Sequence, residues 1–280
     1  MDVGIGLPNA VKGTSGDELV EFARRADQRG FSSLGTIDRI VYGNYEPLVA
    51  LAAAAAVTER IRLSTTVLLG PLRPNAVALA KQTLSLNALS GGRLTLGIGL
   101  GARGDDYEAA GIDTKGRAQV MDELLEGLRK AWADDTIGPD HEEPELLVGG
   151  HVQASYERTA KWGDGWIAGG ATPDDFAEMA EAVKAAWKEA GRDGEPRLAG
   201  LAYYALGDGA EESARAYLTD YYAFLGDEVA NMIAGSAATD PDTVKGYIQA
   251  FTDAGLDELI FFPSNGDPEQ VDLLADAAGL

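Results

Sequence analysis

Few residues in this chain can do chemistry, and glycines stand out where a ligand would have to approach. The run RLTLGIGLG, residues 93–101, alternates apolar positions and closes on a Gly-x-Gly-x-Gly ladder. The pairs Gly149-Gly150 and Gly169-Gly170 each follow a short apolar run. A strand end without Cβ atoms suits either a flat ligand lying against bare backbone or a tight turn. Side-chain chemistry is thin by comparison. Cysteine is absent, which excludes disulfides, thiolate metal sites and a thiol nucleophile. Of the two histidines, His141 sits in an acidic, proline-bearing stretch and reads as solvated, while His151 directly follows Gly149-Gly150. One useful histidine cannot supply the usual three protein ligands of a catalytic zinc, so no metal site is expected. No Gly-x-Ser-x-Gly elbow supports Ser-His-Asp chemistry. Such a chain leaves the hard chemistry to a bound cofactor and supplies position and shielding itself.

An alternation of short strands and amphipathic helices must position those glycines. Apolar periodicity predicts strands over residues 3–7, 31–37, 61–68, 94–98, 145–148, 165–168, 197–206 and 258–262. Helices are predicted over 17–29, 46–58, 75–89, 117–133, 153–162, 173–190, 210–224, 240–254 and 268–278. Leu19, Val20, Phe22, Ala23 and Ala26 make one apolar face, capped by Gly30, and Thr172 before Pro173 is a helix start. Residues 101–116 read as a loop, and Asp122, Glu123 and Glu126 as water-facing. Eight strands alternating with helices in 280 residues point to an α/β chain forming a single (β/α)8 TIM barrel over residues 1–280, with an excursion near 226–255. The C-terminal strand ends of such a barrel share one rim. There IDRIVY, TTVLLGP, GLGARGDDY and the two glycine pairs outline a pocket with glycine walls.

Charge narrows the partners. A formal net charge of −22 repels phosphate backbones and anionic membranes, so nucleic acid is not an expected partner. Any anionic cofactor must rely on backbone N–H groups and helix N-termini, because Lys and Arg number 23 against 45 acids. No apolar stretch approaches the roughly 20 residues that span a bilayer. The opening MDVGIGLP runs straight into a strand with no basic signal-peptide region, and a cytoplasmic setting is expected.

The ordered set GIGLP, ERIRLSTTVLLGPLRP, LSLNALSGGRLTLGIGLG, DDYEAAGI followed by GRAQVMDELLEGLRKAW, and VGG followed by GDGWIAGG resembles the bacterial-luciferase-like flavin-dependent oxidoreductases. The resemblance covers nearly the whole length and implies the same barrel, with FMN or the deazaflavin F420 at its C-terminal rim. It places at Thr66-Val67 a non-prolyl cis peptide and bulge that support the flavin ring, against the alternative of a regular strand end. It sets Gly99 and Gly101 beside the flavin. Gly149, Gly150, Gly169 and Gly170, with nearby helix N-termini, hold the phosphate, and His151 touches the phosphate or the ring. Many F420-using relatives carry Asp-His where this chain has Asp38-Arg39. Arg39 is always charged and cannot be a general acid. It either hydrogen-bonds a flavin carbonyl or substrate anion, or pairs with Asp38. Tyr42 and Tyr107 either line the substrate mouth or pack.

The implied activity is a monooxygenase using reduced FMN and O2 on a small organic substrate, with a separate flavin reductase supplying the reduced flavin. The alternatives are F420-dependent hydride transfer and a non-catalytic flavin-binding barrel. The small-residue run LAAAAAV, residues 51–57, fits either a buried intrachain helix or the contact of the homodimer that the resemblance implies.

Overall fold

The computed structural model describes residues 1–139 and 142–280, so the reading of His141 lies outside the described residues. The strands are β1 (Asp2–Gly6), β2 (Ser33–Thr36), β3 (Arg62–Leu69), β4 (Leu94–Gly99), β5 (Glu145–Gly149), β6 (Gly165–Ile167), β7 (Arg197–Tyr204) and β8 (Glu258–Pro263). They close into one parallel barrel in sequence order, with β1 pairing β8 at Ile5↔Phe261. Around it run α1 (Gly16–Arg29), α2 (Pro47–Ala55), α3 (Ala76–Leu89), α4 (Gly104–Ala109), α5 (Arg117–Trp132), α6 (Gln153–Trp162), α7 (Pro173–Glu189), α8 (Ala210–Tyr221), α9 (Asp227–Gly235), α10 (Pro241–Asp253) and α11 (Glu269–Ala278).

Local chemistry sets the ends of these elements. Ser15 and Glu18 form a reciprocal capping box at α1, and Gly30, at φ 93°, ends the helix in a left-handed turn that a side chain would disfavour. Thr172 accepts from Asp175 N, with Pro173 behind it at the first helical position. The barrel interior is filled by large side chains facing bare backbone. A Cβ on Gly6 would fall 2.2 Å from the Phe262 ring and one on Gly35 2.8 Å from it, so Phe262 fills the space left by two neighbouring strands. At the opposite, N-terminal end the buried Glu258 is paired with Arg197 and, at 3.3 Å, with Arg62. That end is closed by ion pairs, which leaves the C-terminal rim as the open one.

Two local expectations need correction. The segment 101–116 carries α4, whose first-turn Asp105 and Asp106 favour a helix N-terminus. Helix 210–224 stops at Tyr221 and gives way to a 3-10 turn, Ala223–Leu225, and Gly226 at φ 85° starts the additional helix α9. Asp122 pairs with the buried guanidinium of Arg158 (Nε to Oδ1, 2.5 Å) while its own side chain stays 41% exposed, and with the exposed Glu123 and Glu126 it faces water as expected. Among the described residues no helix is long and apolar enough to cross a membrane.

Candidate active site

A cavity of about 260 Å³ opens at the C-terminal rim. Its back is the end of β3. The Thr66-Val67 peptide bond is cis, and the β3–β4 register shifts between Thr65 and Leu68, so a bulge stands at this point. Short hydrogen bonds fix it: Thr65 Oγ1 donates to Gly97 O at 2.7 Å and Thr66 Oγ1 to Thr36 O at 3.0 Å.

The bulge explains the glycine ladder. A Cβ on Gly97 would lie 2.0 Å from Thr65 O, one on Gly99 2.8 Å from Val67 Cγ2, and one on Gly149 3.0 Å from Val67 Cγ1. These glycines let the protein's own bulge approach. Gly99 and Gly149 stand behind Val67, and neither is among the residues lining the cavity. Gly101, Gly169 and Gly170 do line it, and a Cβ on Gly170 would meet open space.

The two glycine pairs lie side by side. β5 and β6 are neighbours, with Gly149 opposite Ile167, and Trp166 Nε1 donates to Gly150 O at 2.8 Å. Gly169 N donates to His151 Nε2 at 3.0 Å. The imidazole therefore carries its proton on Nδ1, and this glycine amide already has an acceptor. Burial holds the His151 pKa below its ordinary value, opposed by the nearby Asp175 carboxylate. The first turn of α6 holds no acid, whereas that of α7 holds Asp174 and Asp175.

Two buried ion pairs build the β2 side. Asp38 accepts from Arg73 Nη1 at 2.5 Å and from Leu69 N at 2.8 Å. Arg39 binds Asp106 (Nε to Oδ2, 2.6 Å) and Asp105 (Nη2 to Oδ2, 2.8 Å), and Asp106 Oδ1 accepts from Ile40 N and Val41 N. The expected alternative of an Asp38–Arg39 pair is thus wrong: adjacent side chains on extended backbone point apart, and each finds a partner from another loop. Burial raises the Asp38 pKa above the usual carboxylate value against the pull of Arg73.

Tyr107 lines the cavity, but its hydroxyl donates to Leu100 O and pins the loop after β4. Tyr42 is not on this wall. It lines a neighbouring groove, its hydroxyl donating to Asp220 at 2.7 Å and its ring meeting Tyr221 edge-on at 5.3 Å.

The sequence reading missed the remaining wall. Tyr203 and Tyr222 share a hydroxyl contact of 2.8 Å, and burial pushes the Tyr222 phenol up to about 12. Arg103 lies with its guanidinium carbon 4.2 Å from the Tyr221 ring centre and 3.9 Å from that of Phe224, and it makes no ion pair among the described residues. Strand-end Tyr203 and the Arg in GLGARGDDY were visible as rim residues. Tyr221 and Tyr222 fall inside the helix predicted over 210–224, with nothing in the sequence to mark them as rim residues. Among the described residues no cluster of His, Asp or Glu could hold a metal.

Arg39 faces both Asp105 and Asp106, and Arg73 both Asp38 and Glu46, so the wall carries no net positive charge; Arg103 is the guanidinium on it that makes no ion pair among the described residues. The phenols stay protonated at neutral pH. The cavity can bind a flat, partly anionic ligand against aromatic and apolar surface, and among the groups described it offers no histidine or free carboxylate as an acid or base.

Comparisons with known proteins bear on the family and the fold. The Luciferase-like monooxygenase family model matches residues 1–277. An uncharacterized protein of Mycobacterium tuberculosis is 33% identical over 211 residues, covering 62% of this chain and 72% of the relative. An F420-dependent glucose-6-phosphate dehydrogenase of Amycolatopsis mediterranei is 26% identical over 90% of each chain. Two solved structures share the fold. One is an F420-dependent secondary alcohol dehydrogenase with an F420-acetone adduct (TM-score 0.82, 18% identity, 99% of this chain and 97% of that one). The other is the FMN-bound oxygenating constituent of 3,6-diketocamphane monooxygenase from Pseudomonas putida (TM-score 0.76, 18% identity, 98% and 96%). With a match running from the first strand of the closed barrel to its last helix, the chain belongs to the luciferase-like monooxygenase family.

Proposed function

We propose that the protein is a flavin-dependent monooxygenase that takes reduced FMN into the central cavity, with the phosphate beside the Gly149-Gly150 and Gly169-Gly170 turns and the α6 N-terminus. The observation that carries this reading is the wall itself. Val67 backs it, Tyr203, Tyr222 and Phe224 keep it apolar, and Arg103 offers a guanidinium that makes no ion pair among the described residues. The residues fit such a group, since Gly170 leaves room and the first turn of α6 is free of acids that would repel a phosphate. Bound reduced flavin supplies two electrons to O2, with one oxygen atom entering the substrate and the other leaving as water. The chain's own part is to hold the ring against Val67, to face its negative charge with Arg103, and to exclude water by the loop after Gly101 and the aromatic turn after α8.

F420-dependent hydride transfer is the second reading, supported by the relatives and structures named above that use F420. Asp174 and Asp175 at the α7 N-terminus, beside Gly169-Gly170, oppose any anionic group there and do not separate the two cofactors. We further propose a separate flavin reductase as the source of reduced FMN. A homodimer would form through α2 and α3, whose outer faces carry Val49, Val77 and Leu89, exposed by 67%, 54% and 78%.

The test is binding and turnover side by side. Purified protein is offered FMN with a flavin reductase and NADH, or reduced F420, and a panel of small ketones and aromatic compounds is screened for substrate-dependent O2 uptake. Tight FMN binding with such uptake supports the proposal; F420 oxidation or reduction without O2 supports the second reading; binding without turnover supports a non-catalytic barrel. Arg103→Gln should weaken reduced FMN by about tenfold, the order of one charge-assisted hydrogen bond, and oxidised FMN by less. Equal effects on both would remove Arg103 from the argument.

A further inference from the structure

The hydroxyls of Tyr203 and Tyr222 meet at 2.8 Å on the wall of the central cavity. Each phenol carries one O–H donor, and only one of the two protons can lie between the oxygens. The other has no acceptor among the described residues.

Two elements bring the pair together. Along β7, Leu201 and Tyr203 point into the barrel and line the cavity, while Tyr204 points outward and spends its hydroxyl on Gln270 O at 3.2 Å. Tyr222 follows the last residue of α8, where the chain turns over the mouth. The two rings meet edge-on with centres 6.0 Å apart; Tyr203 rests on Phe262 and Phe224 stacks on Tyr222, each at 6.4 Å. Tyr203 is buried and Tyr222 is partly open. A deeply buried hydroxyl without an acceptor costs stability, so Tyr203 donates within the pair and the spare proton belongs to Tyr222. Accepting from Tyr203 polarises the Tyr222 O–H and makes it the better donor.

The rest of the lining decides what such a donor selects. Asp38 is taken by Arg73 and Leu69 N, and Asp106 by Arg39 and the Ile40 and Val41 amides. The wall therefore has a donor to spare and no carboxylate left for a ligand's own O–H or N–H. Negative charge is disfavoured at the same spot, where burial pushes the Tyr222 phenol up to about 12. An uncharged oxygen that accepts without donating fits best, and a carbonyl is that group.

We propose that the Tyr203–Tyr222 pair selects a neutral carbonyl compound as substrate, Tyr222 donating to the carbonyl oxygen and Tyr203 positioning the donor. The inference rests on the reading of this cavity as the site of reaction.

The test reads that hydrogen bond directly. Carbonyl-labelled cyclohexanone is added to the full chain, with and without FMN, and the carbonyl stretch of the bound ketone is measured by isotope-edited infrared spectroscopy. In wild type the band should lie below its position in cyclohexane. With Tyr203→Phe and Tyr222→Phe together it should return to that position, and affinity should fall about fivefold, the loss of one hydrogen bond. Tyr203→Phe alone should keep a smaller shift, since Tyr222 still donates but is no longer polarised. Methylenecyclohexane, which has the shape without the oxygen, should bind wild type and the double variant alike, showing that the variant cavity is intact. The proposal is overturned if cyclohexanone binds wild type no better than methylenecyclohexane, if its carbonyl band sits where it does in cyclohexane, if the double variant keeps the shift, if cyclohexanecarboxylate binds better than the ketone, or if bound FMN abolishes the shift. FMN titration of the same wild-type sample tests the flavin reading by itself: a chain that shifts the carbonyl but takes no FMN keeps this donor and loses the function proposed above.

Discussion

Asp106→Ala tests most directly what holds the candidate site together. The Asp106 and Arg39 side chains are 1% and 3% exposed and meet at 2.6 Å, and the other carboxylate oxygen takes the amides of Ile40 and Val41 at 2.8 and 2.7 Å. One carboxylate therefore ties α4 to the loop after β2. Its removal leaves a buried guanidinium and two amides without their acceptor, and breaking a buried pair from one side costs about 3–5 kcal/mol. Asp105 still reaches Arg39 at 2.8 Å but is half exposed, so the lower end of that range is expected. Against a total stability of ~5–15 kcal/mol the loss is large. Urea unfolding by circular dichroism at neutral pH measures it. Asp106→Asn, which keeps an oxygen for the amides, should lose less. In a double-mutant cycle with Arg39→Met the second substitution should cost much less than it does alone, because the stranded charge is gone. A loss below about 1 kcal/mol in Asp106→Ala, or strictly additive single effects, would refute the claim that this pair anchors the rim.

The remaining predictions are more local. Gly97→Ala drives a Cβ to 2.0 Å from Thr65 O and should cost about 1–3 kcal/mol or more, whereas Gly170→Ala, which meets nothing within 4 Å, should stay within about 0.5 kcal/mol of wild type and weaken FMN alone. Urea midpoints and FMN titration separate the two. Because partial desolvation lowers the His151 pKa although the residue is exposed overall, the unfolded chain binds the proton slightly more readily than the folded one and the step is small. Stability should be level above about pH 6.5 and fall as the pH drops from there through the folded pKa, and His151→Gln should flatten that step in urea midpoints taken between pH 7.5 and 5. Val49→Glu with Leu89→Glu should leave a monomer by light scattering at micromolar concentration; an unchanged dimer would place the contact elsewhere.

The barrel was legible because its signals are local. Each strand is a short buried run followed by an amphipathic helix, several of them capped, and a one-step alternation repeated eight times leaves little choice of architecture. The rim was only half legible. The strand ends were identifiable, but Arg39 and Asp106 are 67 residues apart, and nothing in either neighbourhood says that they meet. Proximity in sequence suggested Asp38–Arg39 instead. The aromatic wall was hidden for a related reason. Tyr221 and Tyr222 end α8, where nothing in the sequence marks them as rim residues, and only the return of that helix and the turn at Ala223–Leu225 over the mouth turns them into cavity surface.

The glycines carry the sharpest lesson, because one compositional signal has two physical causes in this chain. Gly97, Gly99 and Gly149 are bare because Thr65 O and the Val67 side chain occupy the space a Cβ would need. Gly170 is bare beside open cavity. The surface offered to a ring at the back of the cavity is therefore made by Val67, and the glycines behind it set how far Val67 can recede. It follows that enlarging Gly99 should act on the cavity by pushing Val67 forward, without touching a ligand itself. Shortening Val67 to Ala in the same chain should relieve that effect, since the crowded Cγ2 atom would no longer be there. Glycine at the ladder and valine at the bulge form one coupled device, and the binding surface is read correctly only when both are considered together.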